Sequence, residues 1–285
     1  MSATTLRARP FLSGAAEELG KLPAFLRRDF LIAWSYRVGF FSDLANLAAQ
    51  MVLFSFIGEL IESNDLPTYG GNQVTYLEFV TLGIVLNVFV QIALMRTSDA
   101  LRTEQMIGTL EALLTTPTAT FTIQMGSAVF DLVYVPLRTA LLLAFMAVVV
   151  GLDLHASGAL PALVLMLAFI PFVWGLGIAT AAAILTFRRG GGLMGLGTMI
   201  LGLASGAFFP LSLLPDWVAT IAEYNPLAIA IDGLRDALLG GTGWAGIGDD
   251  LQMLVPLSIV SVAIGSLLFK LALRRERRRG TLGLY

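Results

Sequence analysis

The chain has no cysteine, which excludes disulfides, thiolate metal sites and a cysteine nucleophile together. It has one histidine, His155, so imidazole chemistry is almost absent and no metal site is expected. Charge is scarce as well. Only 13% of the 285 residues are charged and 56% are hydrophobic, with a mean hydropathy of +0.80. That balance belongs to multi-spanning membrane proteins. No Gly-x-x-x-x-Gly-Lys-Ser/Thr loop occurs, so the chain cannot cradle the phosphates of ATP and cannot power itself with it. The stretch "GGLMGLG" from Gly191 to Gly197 has its glycines in the wrong order for a dinucleotide loop and reads as small residues for close helix packing. An intramembrane hydrolase would need a catalytic constellation at depth, and His155 beside Asp153 in a short loop reads as solvated, so no catalytic residue is expected.

What the chain has is long apolar runs. A helix needs roughly 20 apolar residues to cross the hydrocarbon core. Stretches at about 39–61, 74–96, 120–150, 159–187, 191–211 and 251–273 meet that test. The fold class expected is all-α integral membrane with six transmembrane helices. The third and fourth runs exceed the need and must tilt, project, or kink at Pro136, Pro161 or Pro171. Basic residues alternate between loops. The N-terminal segment, the 2–3 loop, the 4–5 loop and the tail from Lys270 hold sixteen of the eighteen Lys and Arg. Loops 62–73 and 151–158 hold none, and 212–250 has Arg235 among six acids. The positive-inside rule then puts both termini and the 2–3 loop in the cytoplasm.

These boundaries divide the chain into a cytoplasmic segment 1–38, a six-span domain 39–273 and a basic cytoplasmic tail 274–285. The first segment lacks an apolar signal core and reads as retained. Its stretch "KLPAFLRRDFLIAWSYR" places Leu22, Phe25, Leu26, Phe30, Ala33 and Trp34 on one broad side, which predicts a helix lying in the cytoplasmic interface.

Polar residues inside apolar runs are the candidate functional groups. Asn46 and Gln50 are four apart in the first run, as are Asn87 and Gln91 in the second, so each pair shares a helix face. They either bond between helices or line a polar substrate path. Asp131 and Arg138 share a face of the third run, and Arg138 at depth calls for an acidic partner, with Glu59 first and Glu78 second. Residues 212–245 are too polar and proline-broken to span and read as two external half-helices, the second capped by Asn225 with Pro226 at its first position and stopped by Gly240 and Gly241. Asp232, Arg235 and Asp236 cluster near its end, where a solvated external cap is one reading.

Two motifs in this topology resemble the ABC-2 permease family, over residues 20–275. In the 2–3 loop, "E-x-x-x-G-T-L-E-x-L-L-x-x-P" is carried by Glu104, Gly108, Thr109, Leu110, Glu111, Leu113, Leu114 and Pro117. Before the last run, "F-P-x-x-x-L-P-x-W … N-P … R-x-x-L-x-G" is carried by Phe209, Pro210, Leu214, Pro215, Trp217, Asn225, Pro226, Arg235, Leu238 and Gly240. The chain looks most similar to the branch holding daunorubicin-exporter membrane subunits and nodulation-factor exporters.

The resemblance implies the permease subunit of an exporter for an amphipathic or hydrophobic substrate, such as a drug, lipid or glycolipid. It implies a second permease subunit, the same chain or a paralogue, and separate cytoplasmic ABC ATPase subunits that carry ATP and Mg. A bacterial plasma membrane location follows, with the bilayer as partner and no nucleic acid. Residues 99–117 would be the coupling helix that docks on the ATPase. Pro210, Pro215, Trp217, Tyr224, Asn225, Pro226 and Arg235 would shape an external gate. The competing class, an ion-driven carrier or channel, would place acids near the midplane, whereas here they crowd span ends and outer loops.

Overall fold

The computed structural model describes residues 37–58, 66–107, 136–187 and 191–279, with positions 27, 30, 31, 35 and 134 in addition. Along them run α1 (Arg37–Gly58), α2 (Tyr76–Ile107), α3 (Pro136–Val149), α4 (Ala159–Phe187), α5 (Gly191–Leu203), α6 (Asp216–Ala222), α7 (Pro226–Leu238) and α8 (Trp244–Arg279). The described residues form no strand, only an isolated bridge between Tyr69 and Asn72. Three stretches, Tyr76–Leu94, Ala156–Ile184 and Trp244–Arg275, are long and apolar enough to cross a membrane, and Ala45–Gly58 and Pro136–Val149 are shorter apolar helices.

Helix boundaries depart from the predicted runs in three places. First, α2 is one helix of 32 residues that continues past the apolar run at 74–96 through Ile107, so the start of the 99–117 segment lies on the same helix. At ~1.5 Å per residue it is about 48 Å long, well over the ~30 Å hydrocarbon core. Second, α5 stops at Leu203 rather than 211. Gly206 there takes a positive φ of 66°, and the Ser205 hydroxyl donates to the Gly202 carbonyl and accepts from the Ala207 N–H. Third, α8 starts at Trp244, inside the segment assigned to the half-helices, and carries the basic tail as helix to Arg279.

The start of α2 is fixed by a capping box. Thr75 Oγ1 is 3.3 Å from the Glu78 N–H, and one Glu78 carboxylate oxygen accepts from both the Thr75 N–H at 2.7 Å and its hydroxyl at 2.9 Å. From there α2 packs against α1, α4 and α7, while α8 packs on α4 and α7. Small hydroxyls stitch the spans: Thr81 donates to the Met51 sulfur, Ser258 to the Ala168 carbonyl and Ser261 to the Phe172 carbonyl. Phe89 and Phe169 stack at 5.8 Å between α2 and α4. Pro171 and Pro256 lie inside α4 and α8 without ending them, a loss that packed neighbours tolerate in a membrane.

One charge ties the start of α2 to α7 and the turn after α5. Arg235 on α7 is 1% exposed. Its Nε and Nη2 donate to the Phe79 carbonyl at 3.1 and 2.8 Å, and Nη2 also donates to the Gly206 carbonyl at 3.0 Å. Its Nη1 meets Asp232 at 3.1 Å and the Tyr69 hydroxyl at 3.5 Å. The guanidinium also lies 3.5 Å from the centroid of the Phe79 ring. Tyr69 in turn donates to Asp232; burial pushes its phenol well above the usual range, so it stays protonated as a donor. Loop 66–72, α2, the 204–209 turn and α7 thus meet on one side chain. The approach is close: a Cβ on Gly70 would collide with the Gly240 carbonyl, and one on Gly83 with Ala207.

Arg235→Met removes the donors while filling similar space. It is expected to cost about 3–5 kcal/mol of stability, because two buried carbonyls and Asp232 lose a charged partner. Arg235→Lys should recover only part, since an ammonium lacks the planar fork. Thermal unfolding in nanodiscs measures both, and equal midpoints for the wild type and the Met variant would contradict this role.

Candidate functional site

Among the described residues, the four span amides bond within their own helices rather than between helices. Gln91 donates to Asn87 within α2 at 2.8 Å, and Gln50 approaches Asn46 within α1 at 3.5 Å. Asn87 is buried, with its amide nitrogen where a Cβ on Gly202 of α5 would lie. Asn46 and Gln91 are exposed on the surface of the single chain, and Gln50 is half-buried. A carboxamide has two donors and an acceptor oxygen with two lone pairs. One internal bond leaves most of that capacity open, which is costly against lipid tails.

The segment before α8 folds as a helical hairpin. Asn225 is its hinge. The side-chain oxygen accepts from the Leu227 N–H at 3.0 Å, capping α7 with Pro226 in its first turn. The side-chain nitrogen donates to the Leu201 carbonyl at 3.1 Å and the Ala204 carbonyl at 2.7 Å, so one amide caps the start of α7 and the end of α5. Asn225 and Pro226 are buried. Because Asn225 reaches Leu201 and Ala204, and Gly202 meets Asn87 eleven residues after Tyr76, the α6–α7 turn lies about 16 Å along α2 from its start.

Of the other predicted gate residues, Pro210 is buried ahead of the Leu211–Leu213 turn, and Pro215 precedes α6 and is exposed. Trp217 is 71% exposed and Tyr224 67%. With Ile221 they are spaced 217, 221, 224, which makes one apolar stripe on the outside of the hairpin. Arg235 is not on a solvated cap: the structure corrects that reading, because its partners are carbonyls from distant segments. Asp232 remains partly exposed beside it. Burial raises the Asp236 carboxyl above its usual range, with the Asp232 charge adding to the effect.

Arg138 is half-buried, and its Nη1 donates to the Tyr134 hydroxyl at 3.1 Å with its charge 5.7 Å from that ring. The expected partner Glu59 and the neighbouring Asp131 lie outside the described residues. The alternative Glu78 uses one oxygen in the capping box. Glu104 is carried by α2, and Gly108, Thr109, Leu110, Glu111, Leu114 and Pro117 lie outside the described residues, as does most of the predicted interfacial helix.

Two features were missed. Thr75-x-x-Glu78 before an apolar run was a readable capping-box signal. His155 is not merely solvated: its N–H donates to the Leu238 carbonyl at 2.8 Å and its Nδ1 lies 3.3 Å from the same oxygen, closing the end of α7. Nothing local in the sequence points to that contact.

Among curated proteins, none matches the sequence. The profile of the ABC-2 type transporter matches residues 21–239, more than half of the 285-residue chain, and takes in the stretch of the 2–3 loop motif, the span amides and the α6–α7 hairpin. The chain therefore belongs to the ABC-2 type transporter family.

Proposed function

We propose that the chain is the permease subunit of an ATP-driven exporter, six spans to a subunit, working as a dimer of permeases on a pair of cytoplasmic ABC ATPases that bind ATP and Mg. The substrate is amphipathic or hydrophobic and leaves the cytoplasm or inner leaflet, in a bacterial plasma membrane with both termini cytoplasmic. A relationship to the daunorubicin and nodulation-factor exporters is part of this reading, on the strength of the two sequence motifs.

The observation that carries the proposal is the set of exposed amides on α1 and α2. Asn46 and Gln91 are open on the single chain, beside a half-buried Gln50, at a depth where lipid would leave them unsatisfied. A second permease or a water-lined substrate path between two copies satisfies them. Nearby, α1 exposes Val52, Leu53 and Phe56, and α5 exposes Leu196, Met199 and Ile200. These faces, with Gly195 and Gly197 open beside them, suit a helix–helix interface between copies. In this reading the α6–α7 hairpin re-enters the outer leaflet and lines the exit. Its turn is buried against α5, as irregular backbone at such depth requires.

The coupling segment 99–117 is assigned to ATPase docking. The length of α2 supports this, since the helix outruns the hydrocarbon core and delivers Glu104 beyond it. Leu110, Leu113 and Leu114 would fill a cleft on the partner, Glu111 would pair at its rim, and Gly108 would allow close backbone approach.

Three outcomes are expected. Purification from native membranes in mild detergent should bring down an ATPase with a Walker A loop, and Glu111→Arg or Gly108→Trp should reduce its recovery by about tenfold, or ~1.4 kcal/mol, while the chain still inserts. Undiminished ATPase recovery in both variants would remove the coupling assignment. Single cysteines at Phe56 or Ile200 in this cysteine-free chain should cross-link two copies, whereas a strictly monomeric pattern in bilayers would refute the dimer. Trp217→Ala or Tyr224→Ala should change export and leave ATPase recovery intact; normal transport in both would make the hairpin an inert cap.

A further inference from the structure

Between them α4 and α8 enclose a groove of about 300 Å³ that the α6–α7 turn closes at one end. Its size is at the lower end of small-molecule sites, roughly 300–1,000 Å³. Phe172, Leu257 and Val260 form walls, Gly175 and Gly265 the floor, and Tyr224 the rim. The floor exists because the two helices touch backbone to backbone: a Cβ on Gly265 would collide with the Gly175 carbonyl, and one on Gly175 with Ser261. With no side chains at the crossing, the larger neighbours splay to either side and leave a trough. The Ser261 hydroxyl does not make it polar, since it donates to the Phe172 carbonyl at 2.9 Å.

We infer that this groove binds one hydrocarbon chain of a bilayer lipid. The occupant follows from the medium and from contrast with the amide-bearing faces of α1 and α2. The groove lies in the middle turns of two stretches long and apolar enough to span. Beyond it the surface of α8 is Ile259, Leu267, Leu268 and Leu271, all exposed. Hydrocarbon, not water, is the solvent for such a surface. The face carrying Asn46, Gln50 and Gln91 needs a polar partner, whereas the groove has its inner polar atoms already bonded and offers only dispersion contact. A flexible chain lying in the trough touches walls on two sides and the glycine floor, gaining contacts that a chain against a convex helix does not. The Tyr224 hydroxyl at the rim forms no hydrogen bond among the described residues and is the one polar mark on the path, so a chain carrying a carbonyl or hydroxyl partway along it would be held in register.

The test needs neither the ATPase nor transport, so its failure is separate from failure of the proposed function. The wild-type chain in phosphatidylcholine–phosphatidylglycerol nanodiscs is irradiated with a phosphatidylcholine bearing a diazirine along one acyl chain, and insertion is mapped by mass spectrometry. Insertion at the low-exposure positions Phe172, Gly175, Leu257 and Gly265, above that at the exposed Leu160 and Leu163, is the expected result. Ala179→Phe, which puts a ring into the groove, should cut that insertion about fivefold and leave Leu160 and Leu163 unchanged; Val260→Trp at the wall should do the same if the first variant expresses poorly. Insertion that simply follows exposure along α4 and α8 would overturn the inference. So would unchanged groove labelling in a folded filled variant. Cross-linking between copies through Val260→Cys, with the groove protected from the lipid probe, would instead give the site to a second copy.

Discussion

The guanidinium of Arg235 is the constraint on which the packing of α7 against the start of α2 and the end of α5 depends. Burying a cation is costly unless charge and hydrogen bonds replace the lost water. Here the replacements come from four separate pieces of chain: the Phe79 and Gly206 carbonyls, Asp232 and Tyr69. Each of those carbonyls belongs to backbone that local structure leaves without a partner or able to accept a second one. Gly206 lies just past the end of α5, where a positive φ has turned the chain out of the helix. The side chain therefore satisfies the irregular backbone, and the irregular backbone stabilises the charge. Neither would be tolerated alone within reach of lipid.

The same reciprocity recurs at Asn225. A helix end facing hydrocarbon has carbonyls or N–H groups with no solvent to bond them. One carboxamide, with both donor and acceptor, serves the end of α5 and the start of α7 together. The backbone N–H of His155 performs the equivalent task at the other end of α7, donating to the Leu238 carbonyl at 2.8 Å, so the hairpin's long helix is closed at one end by a side chain and at the other by a distant backbone group. The hairpin is thus a fixed part of the fold rather than a loose external loop, with a stripe of Trp217, Ile221 and Tyr224 left open on it.

How much of this was legible follows from where each signal is stored. The cap at Asn225–Pro226 was readable because capping is a contact between near neighbours, and it is present where the sequence placed it. Thr75 and Glu78 carried an equally local signal. The burial of Arg235 was not readable, because Asp232 three residues before it looks the same on a solvated helix. Its deciding partner, Phe79, is 156 residues away. The apolar run at 74–96 agrees with the Tyr76–Leu94 stretch able to cross a membrane, but where the helices α2 and α5 themselves end was not readable, for a different reason. Hydropathy reports the medium around a segment, not its backbone. Arg96 and Asp99 mark where α2 leaves the apolar run, yet the helix continues to Ile107; Ala207, Phe208 and Phe209 are still apolar, yet α5 has already ended.

These two helix ends bear directly on the proposed function. Because α2 is unbroken, its first turn, which carries Phe79, and its last, which ends at Ile107, belong to one rod of about 48 Å. The Phe79 end of that rod is bonded to α7 through Arg235 and to the turn after α5 through the same side chain. The other end carries Glu104, the first residue of the 2–3 loop motif. Glu104 and the Phe79 carbonyl that holds Arg235 of the second motif are therefore on a single helix. A helix is stiff along its axis, and a packed interface with charge-assisted bonds shifts as a unit. In the proposed ATP-driven permease, displacement of the Ile107 end by an ATPase would move the Phe79 carbonyl, and the α6–α7 hairpin would follow it or break the Arg235 contacts. The early end of α5 fixes the other side of the hairpin: Asn225 bonds the Leu201 and Ala204 carbonyls and Arg235 the Gly206 carbonyl, so the 204–209 turn and the hairpin shift together.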